Sequence, residues 1–431
     1  MLDVVPLAVV ILEKTNGNPF FLRQMLEVCH RKSCIWYSWK ESVWEFDIDR
    51  IFVEFESDSY DQQLNTNFIT KRLQDLPIAA RSILAWASLL GNTFSFELVQ
   101  RLLTGEFDYA EDNGGSINTT CTKFAELFTP QPIENVVEGL QATLQAYIIM
   151  PCSNEDEFSF SHDRYVQASA SLRECHNVEK MHFMIVQTMI KYFDLDSRLS
   201  YTQARHVCQA VNVIKRRVNN RYRFRALLCE AAERAIESGA RPTALDYYET
   251  CLALMQSDPW KEGARDVFYE ETLSLYIKAA TLYLHQGKPV DAQNLLDSTF
   301  AGAGTASDKA PAWILQSKRF AQAGNMAGAF TALKTSLLEL GLDIAATPTW
   351  ELCDKEYREL RDRLQTANFI DLVSKPLNTD PDIIAMGAVL IEATSAAFWT
   401  DTLLVCYSGL RYLPVQQSDW TIVLPACPQN D

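Results

Sequence analysis

One helix–turn pattern occurs three times in the second half of this chain. Each copy centres on a glycine, namely Gly239, Gly287 or Gly324. A small residue precedes each glycine by seven positions, an alanine follows it by five and a large apolar residue by nine. These residues are Ala232, Ala244 and Tyr248; Ala280, Ala292 and Leu296; and Ser317, Ala329 and Leu333. Small side chains let helices cross closely and glycine permits the turn. The pattern predicts stacked antiparallel helix pairs, with unrelated helical hairpins as the alternative.

Short aromatic stretches interrupt the helical pattern in the first 175 residues. Residues 35–55 alternate aromatic and polar side chains with a period of about two, which makes a hairpin plausible. Residues 147–150 and 158–160 indicate two further strands across a polar turn. These two strands follow four helices, which is the order of a winged-helix-like module. Residues 105–132 are interpreted as an insertion in it, because their acids and paired glycines cannot form a core.

The acidic charge balance argues against nucleic acid as a partner. The chain has 39 Lys and Arg residues against 55 Asp and Glu, which gives a net charge of −16. One stretch without acids, with interleaved Tyr222 and Phe224, could bind phosphate groups. Its basic residues are Lys215, Arg216, Arg217, Arg221, Arg223 and Arg225. A solvated turn whose basic side chains pair with acidic neighbours is the favoured interpretation, so no nucleic acid is expected.

No metal site or membrane span is expected. Two groups of residues carry metal-binding side chains: Cys29, His30 and Cys34, and Cys175, His176 and His182. Neither group supplies four ligands at a familiar spacing. The eleven cysteines include no Cys-x-x-Cys pair, which is typical of reduced thiols in a cytoplasmic protein. No apolar run reaches the ~18 residues that a membrane helix needs.

Recognisable catalytic motifs are absent from the sequence. It contains no G-x-x-x-x-G-K-[ST] phosphate-binding loop, no G-x-S-x-G, no H-E-x-x-H and no kinase H-R-D. We therefore expect that this chain alone is not an enzyme and has no catalytic residues.

Residues 14–22, with the sequence KTNGNPFFL, resemble a motif of known ATPases. The motif is the G-x-P signature in the helical lid of signal-transduction ATPases with numerous domains, the STAND class of AAA-like ATPases. Residues 68–84 and 158–164 resemble segments that follow this lid. Taken together and in this order, these segments resemble the regulatory region of multidomain hybrid histidine kinases. The resemblance covers about residues 5–405. The resemblance is to the fungal group with a serine/threonine-kinase-like N-terminal domain.

This resemblance implies a nucleotide contact at the turn between the first two helices. Pro19 would touch the adenine nucleotide, and Gly17 and Asn18 would shape the turn. The nucleotide, ATP or ADP, would be bound by a P-loop preceding residue 1, and the kinase and receiver domains would follow the chain. The chain is then expected to be a fragment of an ATP-binding kinase, with a true short paralogue as the alternative. A plain helix–turn–helix corner is the alternative for the turn.

The fold class we predict is mostly α. It comprises an ATPase lid part (1–63), a winged-helix-like module with a small β-hairpin (64–175), a degenerate TPR-like α-solenoid (176–413) and an irregular tail (414–431). We expect Pro414, Pro425 and Pro428 to break any long helix in that tail.

The expected function is regulation and protein interaction in a cytoplasmic two-component signalling protein. Protein partners would bind the helical repeats, and nucleotide dependence would require the missing P-loop. The alternatives are a stand-alone helical-repeat scaffold and part of a STAND-class transcriptional regulator.

Overall fold

The computed structural model shows a mostly α-helical protein with two small sheets. It describes residues 4–417 except 16, 55–68, 71, 106–129, 155, 174–176, 194–198, 262 and 367–378. The chain forms two compact units, Met1–Leu195 and Asp196–Asp431. The predicted mostly α fold class is confirmed.

The first unit begins with three helices and a β-hairpin. The elements are α1 (Val5–Thr15), α2 (Pro19–Arg31), β1 (Ile35–Ser38), β2 (Val43–Phe46) and α3 (Ile48–Glu54). The strands are antiparallel, with Ile35 opposite Phe46. Apolar side chains from the three helices and β1 form one core cluster around Cys29 and Ile51. The hairpin predicted within residues 35–55 is therefore present, and the residues after it form α3.

The rest of the first unit combines helices with a three-stranded sheet. The elements are α4 (Ile78–Leu90), β3 (Thr93–Ser95), α5 (Phe96–Thr104), α6 (Ile133–Gln145), β4 (Ile149–Pro151), β5 (Glu157–Phe160), α7 (Asp163–Ser171) and α8 (Val178–Tyr192). The antiparallel sheet has the order β3-β5-β4. From α4 to β5, the order of the elements is helix, strand, two helices and two strands.

The strands β4 and β5 confirm the second predicted hairpin, whereas β3 was not predicted. Only Gly91 and Asn92 separate α4 from β3, and three residues are too few to show an alternating pattern. Ser95 ends the strand and caps α5, since its Oγ accepts a hydrogen bond from the Leu98 N–H at 3.2 Å. Most of the predicted insertion, residues 106–129, lies outside the described residues.

Close packing of α4 against α6 depends on Gly139. A Cβ at this position would lie 2.8 Å from the backbone carbonyl carbon of Ala79. That distance is too short for any side chain, so the two helices touch through their backbones here. Trp86 and Ile83 on α4 are buried in the same core.

Among its described residues, the second unit has helices as its regular elements, joined by turns and loops. Its helices are α9 (Ser200–Gln209), α10 (Val211–Arg217), α11 (Tyr222–Glu237), α12 (Arg241–Leu254), α13 (Tyr269–His285), α14 (Pro289–Gly302), α15 (Ala306–Gln322), α16 (Met326–Glu339), α17 (Trp350–Thr366), α18 (Pro381–Phe398) and α19 (Thr402–Gln417).

Three helix pairs turn at the predicted glycines. The pairs are α11/α12, α13/α14 and α15/α16, and the φ angles of Gly239, Gly287 and Gly324 are +81°, +71° and +77°. Glycine is favoured in this left-handed region because it has no Cβ. After each glycine, one N–H donates to the carbonyl five residues back, at 2.7–2.9 Å. The three alanines predicted at the helix crossings are fully buried. The predicted helical hairpins are therefore confirmed.

The last helix continues past Pro414, contrary to the sequence prediction. Helix α19 ends at Gln417, so Pro414 lies in its final turn. Near a helix end, a proline removes one backbone hydrogen bond while little helix remains to be broken. The predicted irregular tail therefore begins within a helix, and residues 418–431 lie outside the described residues.

Among the described residues, α18 alone is long and apolar enough to cross a membrane, judged by length and composition. Asp382 and Glu392 interrupt its apolar residues, so α18 is not an unbroken apolar run of the expected length. Val389, Leu390 and Ala393 on its inner face are fully buried in a core shared with α16 and α19. The core helix of a soluble protein meets the same criterion, so one such helix is weak support for a span.

We predict that Ala292→Leu will destabilise the protein by about 1–3 kcal/mol, because it overpacks the crossing of α13 and α14. Ala292 is fully buried, whereas Ala301 on the same helix is exposed. Ala301→Leu is therefore the matched control and should leave the free energy of unfolding nearly unchanged. Urea unfolding followed by circular dichroism measures both variants. Equal midpoints for the two variants would mean that the crossing tolerates a larger side chain.

Candidate functional site

Gly17, Asn18 and Pro19, at the start of α2, are exposed. Gly17 has a φ of +72°, which only glycine adopts without strain. The Asn18 side chain accepts a hydrogen bond from the Phe20 N–H at 3.0 Å and so caps α2. Pro19 occupies the first helical turn, where no N–H donor is required. All three residues of the predicted G-x-P motif therefore form one fixed surface feature.

The same spacing occurs a second time, at Gly287, Lys288 and Pro289. Gly287 also has a positive φ, and Pro289 also starts a helix, α14. At this second turn, the Lys288 side chain makes no capping hydrogen bond. A G-x-P turn is therefore a structural solution that this chain also uses within an ordinary helix pair. Any special role of Pro19 must come from its surroundings.

Phe20 connects the turn to the start of α7. Its ring stacks on the imidazole of His162, with ring centres 4.0 Å apart and an angle of 26° between the planes. Its edge also contacts Tyr165, at 5.7 Å between ring centres. His162 is held in place because its Nδ1 accepts a hydrogen bond from the Arg164 N–H at 3.1 Å. Two segments that carry the family resemblance, residues 14–22 and 158–164, are therefore in direct contact.

Arg72 lies in residues 68–84, the third segment that carries the family resemblance. It connects this segment to Tyr165 on α7. Its guanidinium is 6% exposed and donates to the Tyr165 hydroxyl at 2.9 Å and to Glu27 Oε2 at 2.8 Å. It also donates to the Ala146 carbonyl at 2.8 Å, and the Tyr165 hydroxyl donates to Gln24 at 2.8 Å. These hydrogen bonds tie α2, α7 and the end of α6 to one cation. We call Arg72, Glu27, Gln24, Tyr165 and Ala146 the Arg72 network.

The Tyr165 hydroxyl remains protonated at neutral pH. Burial raises its pKa to about 12, and this effect exceeds the opposing effect of the nearby Arg72 charge. The protonated hydroxyl can therefore donate to Gln24 while it accepts from Arg72. The Arg72 network therefore holds helices in position through hydrogen bonds, and none of these bonds requires a proton transfer.

The first suggested metal group does not converge in the structure. Cys29 and Cys34 are buried in the core of α1 to α3, whereas His30 is exposed and contacts Trp44, with ring centres 5.7 Å apart. Burial raises the pKa of the Cys29 thiol to about 12, which disfavours the thiolate that binds metals.

Of the second suggested metal group, only His182 can be placed. Cys175 and His176 lie outside the described residues, and His182 is buried on α8. In the part of the chain that the structure describes, no three His, Cys, Asp or Glu side chains are grouped for a metal.

The basic stretch at residues 215–225 contains a buried ion pair that sequence analysis missed. Arg225 was interpreted as part of a solvated turn, but its side chain is fully buried. It donates to both oxygens of Asp266 at 2.9 and 3.0 Å and to both oxygens of Glu271 at 2.7 and 2.8 Å. Arg221 donates to the backbone carbonyls of Lys215, Val218 and Leu254. At least these two arginines therefore have structural roles.

The Arg225 pair fixes the loop between α12 and α13. Asp266 is itself fully buried and has a φ of +64°, a conformation that aspartate tolerates better than most residues. Burial alone would lower the pKa of Arg225, but the hydrogen bonds to Glu271 and Asp266 raise it above its ordinary value. The arginine therefore stays charged, and removing it would leave buried carboxylates unpaired.

Comparison with known proteins links the chain to fungal histidine kinases. It is 26% identical over 304 residues to the peroxide stress-activated histidine kinase mak3 of Schizosaccharomyces pombe, which covers 70% of this chain and 12% of the relative. It is 24% identical over 426 residues to the peroxide stress-activated histidine kinase mak2 of the same organism, which covers 94% of this chain and 16% of the relative. No family model and no solved structure matches the chain.

The chain thus spans less than a fifth of the length of these relatives. The chain is therefore similar to part of two fungal histidine kinases, which supports the coarser part of the resemblance. The ATPase lid, and the nucleotide contact of Gly17, Asn18 and Pro19, remain predictions.

We predict that Arg72→Met will lower the free energy of unfolding by about 1–3 kcal/mol, because it leaves buried acceptors without a donor. Arg101→Met is the matched control, since Arg101 pairs with Glu97 and both side chains are 47% exposed. Exposed pairs of this kind contribute about 0–1 kcal/mol. Urea unfolding of both variants measures the difference. A loss no larger for Arg72 than for Arg101 would show that the Arg72 network does not hold the unit together.

Proposed function

We propose that this chain is a regulatory and protein-interaction segment of a cytoplasmic, histidine kinase-type signalling protein. The observation that carries the proposal is the convergence at α2. Phe20 stacks on His162, and Arg72 joins Glu27 to Tyr165. A shift of the Gly17–Pro19 turn would therefore act directly on α7 and α6. Such coupling is what a regulatory segment requires.

The proposed input is the state of an adenine nucleotide held elsewhere in a longer protein. The turn fits part of that role, because Pro19 is exposed and offers an apolar ring edge on a rigid backbone. Gly17, Asn18 and Pro19 carry no charge, so they would touch the base and leave the phosphates to a P-loop. The exchange of ATP for ADP at that site would change the charge and the contacts that the nucleotide offers. This chain then contributes no catalytic residue and binds no metal.

The proposed output is a protein contact made by the helices of the second unit. Large aromatic side chains are exposed there: Trp350 is 69% exposed, Phe398 67% and Trp399 70%. Aromatic residues are enriched where proteins contact each other. The relatives are named as peroxide stress-activated, and we extend that stimulus to the protein in which this chain acts.

The nucleotide part of the proposal predicts that the chain alone binds ATP only weakly and does not hydrolyse it. Backbone N–H groups of a P-loop supply most contacts to the phosphates, and this sequence has no such loop. Isothermal titration of the 431-residue chain with ATP and magnesium should show no binding in the micromolar range. Micromolar affinity would contradict the division of roles proposed for the turn.

A segment exchange tests the regulatory function itself. The matching segment of mak2 would be replaced by this chain, and peroxide-stimulated autophosphorylation would be measured. We expect the exchange to retain stimulation and a deletion to lose it. Pro19→Ala in the exchanged segment should reduce stimulation severalfold, because it removes the ring that faces the nucleotide.

Pro289→Ala is the matched control for this exchange, since Pro289 is also an exposed proline that starts a helix after a glycine turn. It should leave stimulation unchanged. Equal stimulation with and without the segment would overturn the regulatory proposal. If the exchanged segment retains stimulation and Pro19→Ala does not reduce it, a helical-repeat scaffold without a nucleotide link would be favoured.

A further inference from the structure

Two cysteines face each other between α11 and α12, the first of the three helix pairs that turn at a glycine. Cys229 lies on α11 and Cys251 on α12, and their sulfur atoms are 3.7 Å apart. Both thiols are free. A disulfide bond requires the sulfurs to approach to about 2.05 Å. The packing of α11 against α12 has therefore brought the two sulfurs into van der Waals contact, about 1.7 Å short of the bond length.

The two thiols have different surroundings. Cys251 is fully buried, and its thiol donates to the Arg225 carbonyl at 3.5 Å. Cys229, in contrast, is only partly buried. Burial raises the pKa of Cys251, whereas the contact with the Cys251 sulfur lowers the pKa of Cys229. Cys229 is thus the more reactive thiol, since the thiolate is the nucleophile.

We propose that Cys229 and Cys251 form a reversible disulfide when a hydroperoxide reaches Cys229. The proposal rests on the sulfur-to-sulfur distance and on the unequal access to the two groups. It does not depend on the proposed regulatory function, because it concerns this helix pair alone.

The reaction balances in two steps. The Cys229 thiol loses its proton and the thiolate attacks one peroxide oxygen, which breaks the O–O bond and gives Cys229 a sulfenic acid. The leaving oxygen takes up the thiol proton and departs as an alcohol, or as water from hydrogen peroxide. The Cys251 sulfur then attacks the Cys229 sulfur, so the S–S bond forms and hydroxide leaves with the Cys251 proton as water. The two thiols lose two electrons in total, and the hydroperoxide gains them.

The bond would cross-link α11 to α12 next to the Arg225 pair. Cys229 lies one helical turn after Arg225, and Cys251 already contacts the Arg225 backbone. A covalent link at this point constrains the unfolded chain and resists separation of the two helices. The oxidised protein is therefore expected to have a higher melting temperature than the reduced protein.

Peptide mapping of the full chain tests this directly. The reduced protein would be treated with hydrogen peroxide, alkylated and digested without reductant. We expect a Cys229–Cys251 linked peptide that disappears after dithiothreitol. In Cys251→Ser, Cys229 should instead accumulate as a sulfenic acid that dimedone traps. Circular dichroism would establish that this variant is folded.

Cys208→Ser is the matched control, because Cys208 is also partly buried but its recorded partner is the Thr250 hydroxyl at 3.5 Å. This variant should form the linked peptide at the wild-type rate. The proposal is overturned if no linked peptide forms, if Cys229 links to another cysteine, or if Cys208 is oxidised as fast as Cys229.

Discussion

A buried guanidinium group needs hydrogen-bond acceptors from its surroundings, and in each unit of the protein one such arginine receives them from several elements. In the first unit, Arg72 draws α2, α7 and the end of α6 to one point. In the second, Arg225 holds the loop before α13 through two carboxylates. Removing one partner of a fully buried pair such as Arg225 and Asp266 costs about 3–5 kcal/mol, whereas exposed pairs contribute about 0–1 kcal/mol. The positions of these few charges therefore restrict the helix arrangement more than the many surface ion pairs do.

Features determined by nearby residues could be predicted from the sequence. Gly239, Gly287 and Gly324 mark turns because a left-handed backbone and a close crossing leave few other choices. Ser95 marks a helix start for a similar local reason. Strand β3 and the burial of Arg225 could not be predicted, since both depend on partners distant in sequence. The carboxylates that neutralise Arg225 are 41 and 46 residues away.

The candidate site shows the same division between local and tertiary information. The motif at Gly17, Asn18 and Pro19 was visible in the sequence, yet a turn of the same spacing occurs at Pro289. What distinguishes the first turn is the stacking of Phe20 on His162 and the Arg72 network behind it. No sequence pattern pairs Arg72 with Tyr165, which are 93 residues apart. Only the resemblance of three separate segments to one family indicated that they belong together.

Each unit thus contains a point where a local chemical change would reach several helices. At the Gly17–Pro19 turn, a noncovalent contact would act through Phe20, and the change would reverse when the contact is lost. At the Cys229–Cys251 pair, a covalent bond would act beside Arg225 and persist until it is reduced. The first suits a rapidly exchanging ligand and the second a lasting chemical condition. A signalling segment with both points could combine two inputs of different duration. The contact at the Gly17–Pro19 turn would last as long as the nucleotide stays bound, and the Cys229–Cys251 bond as long as the environment is oxidising.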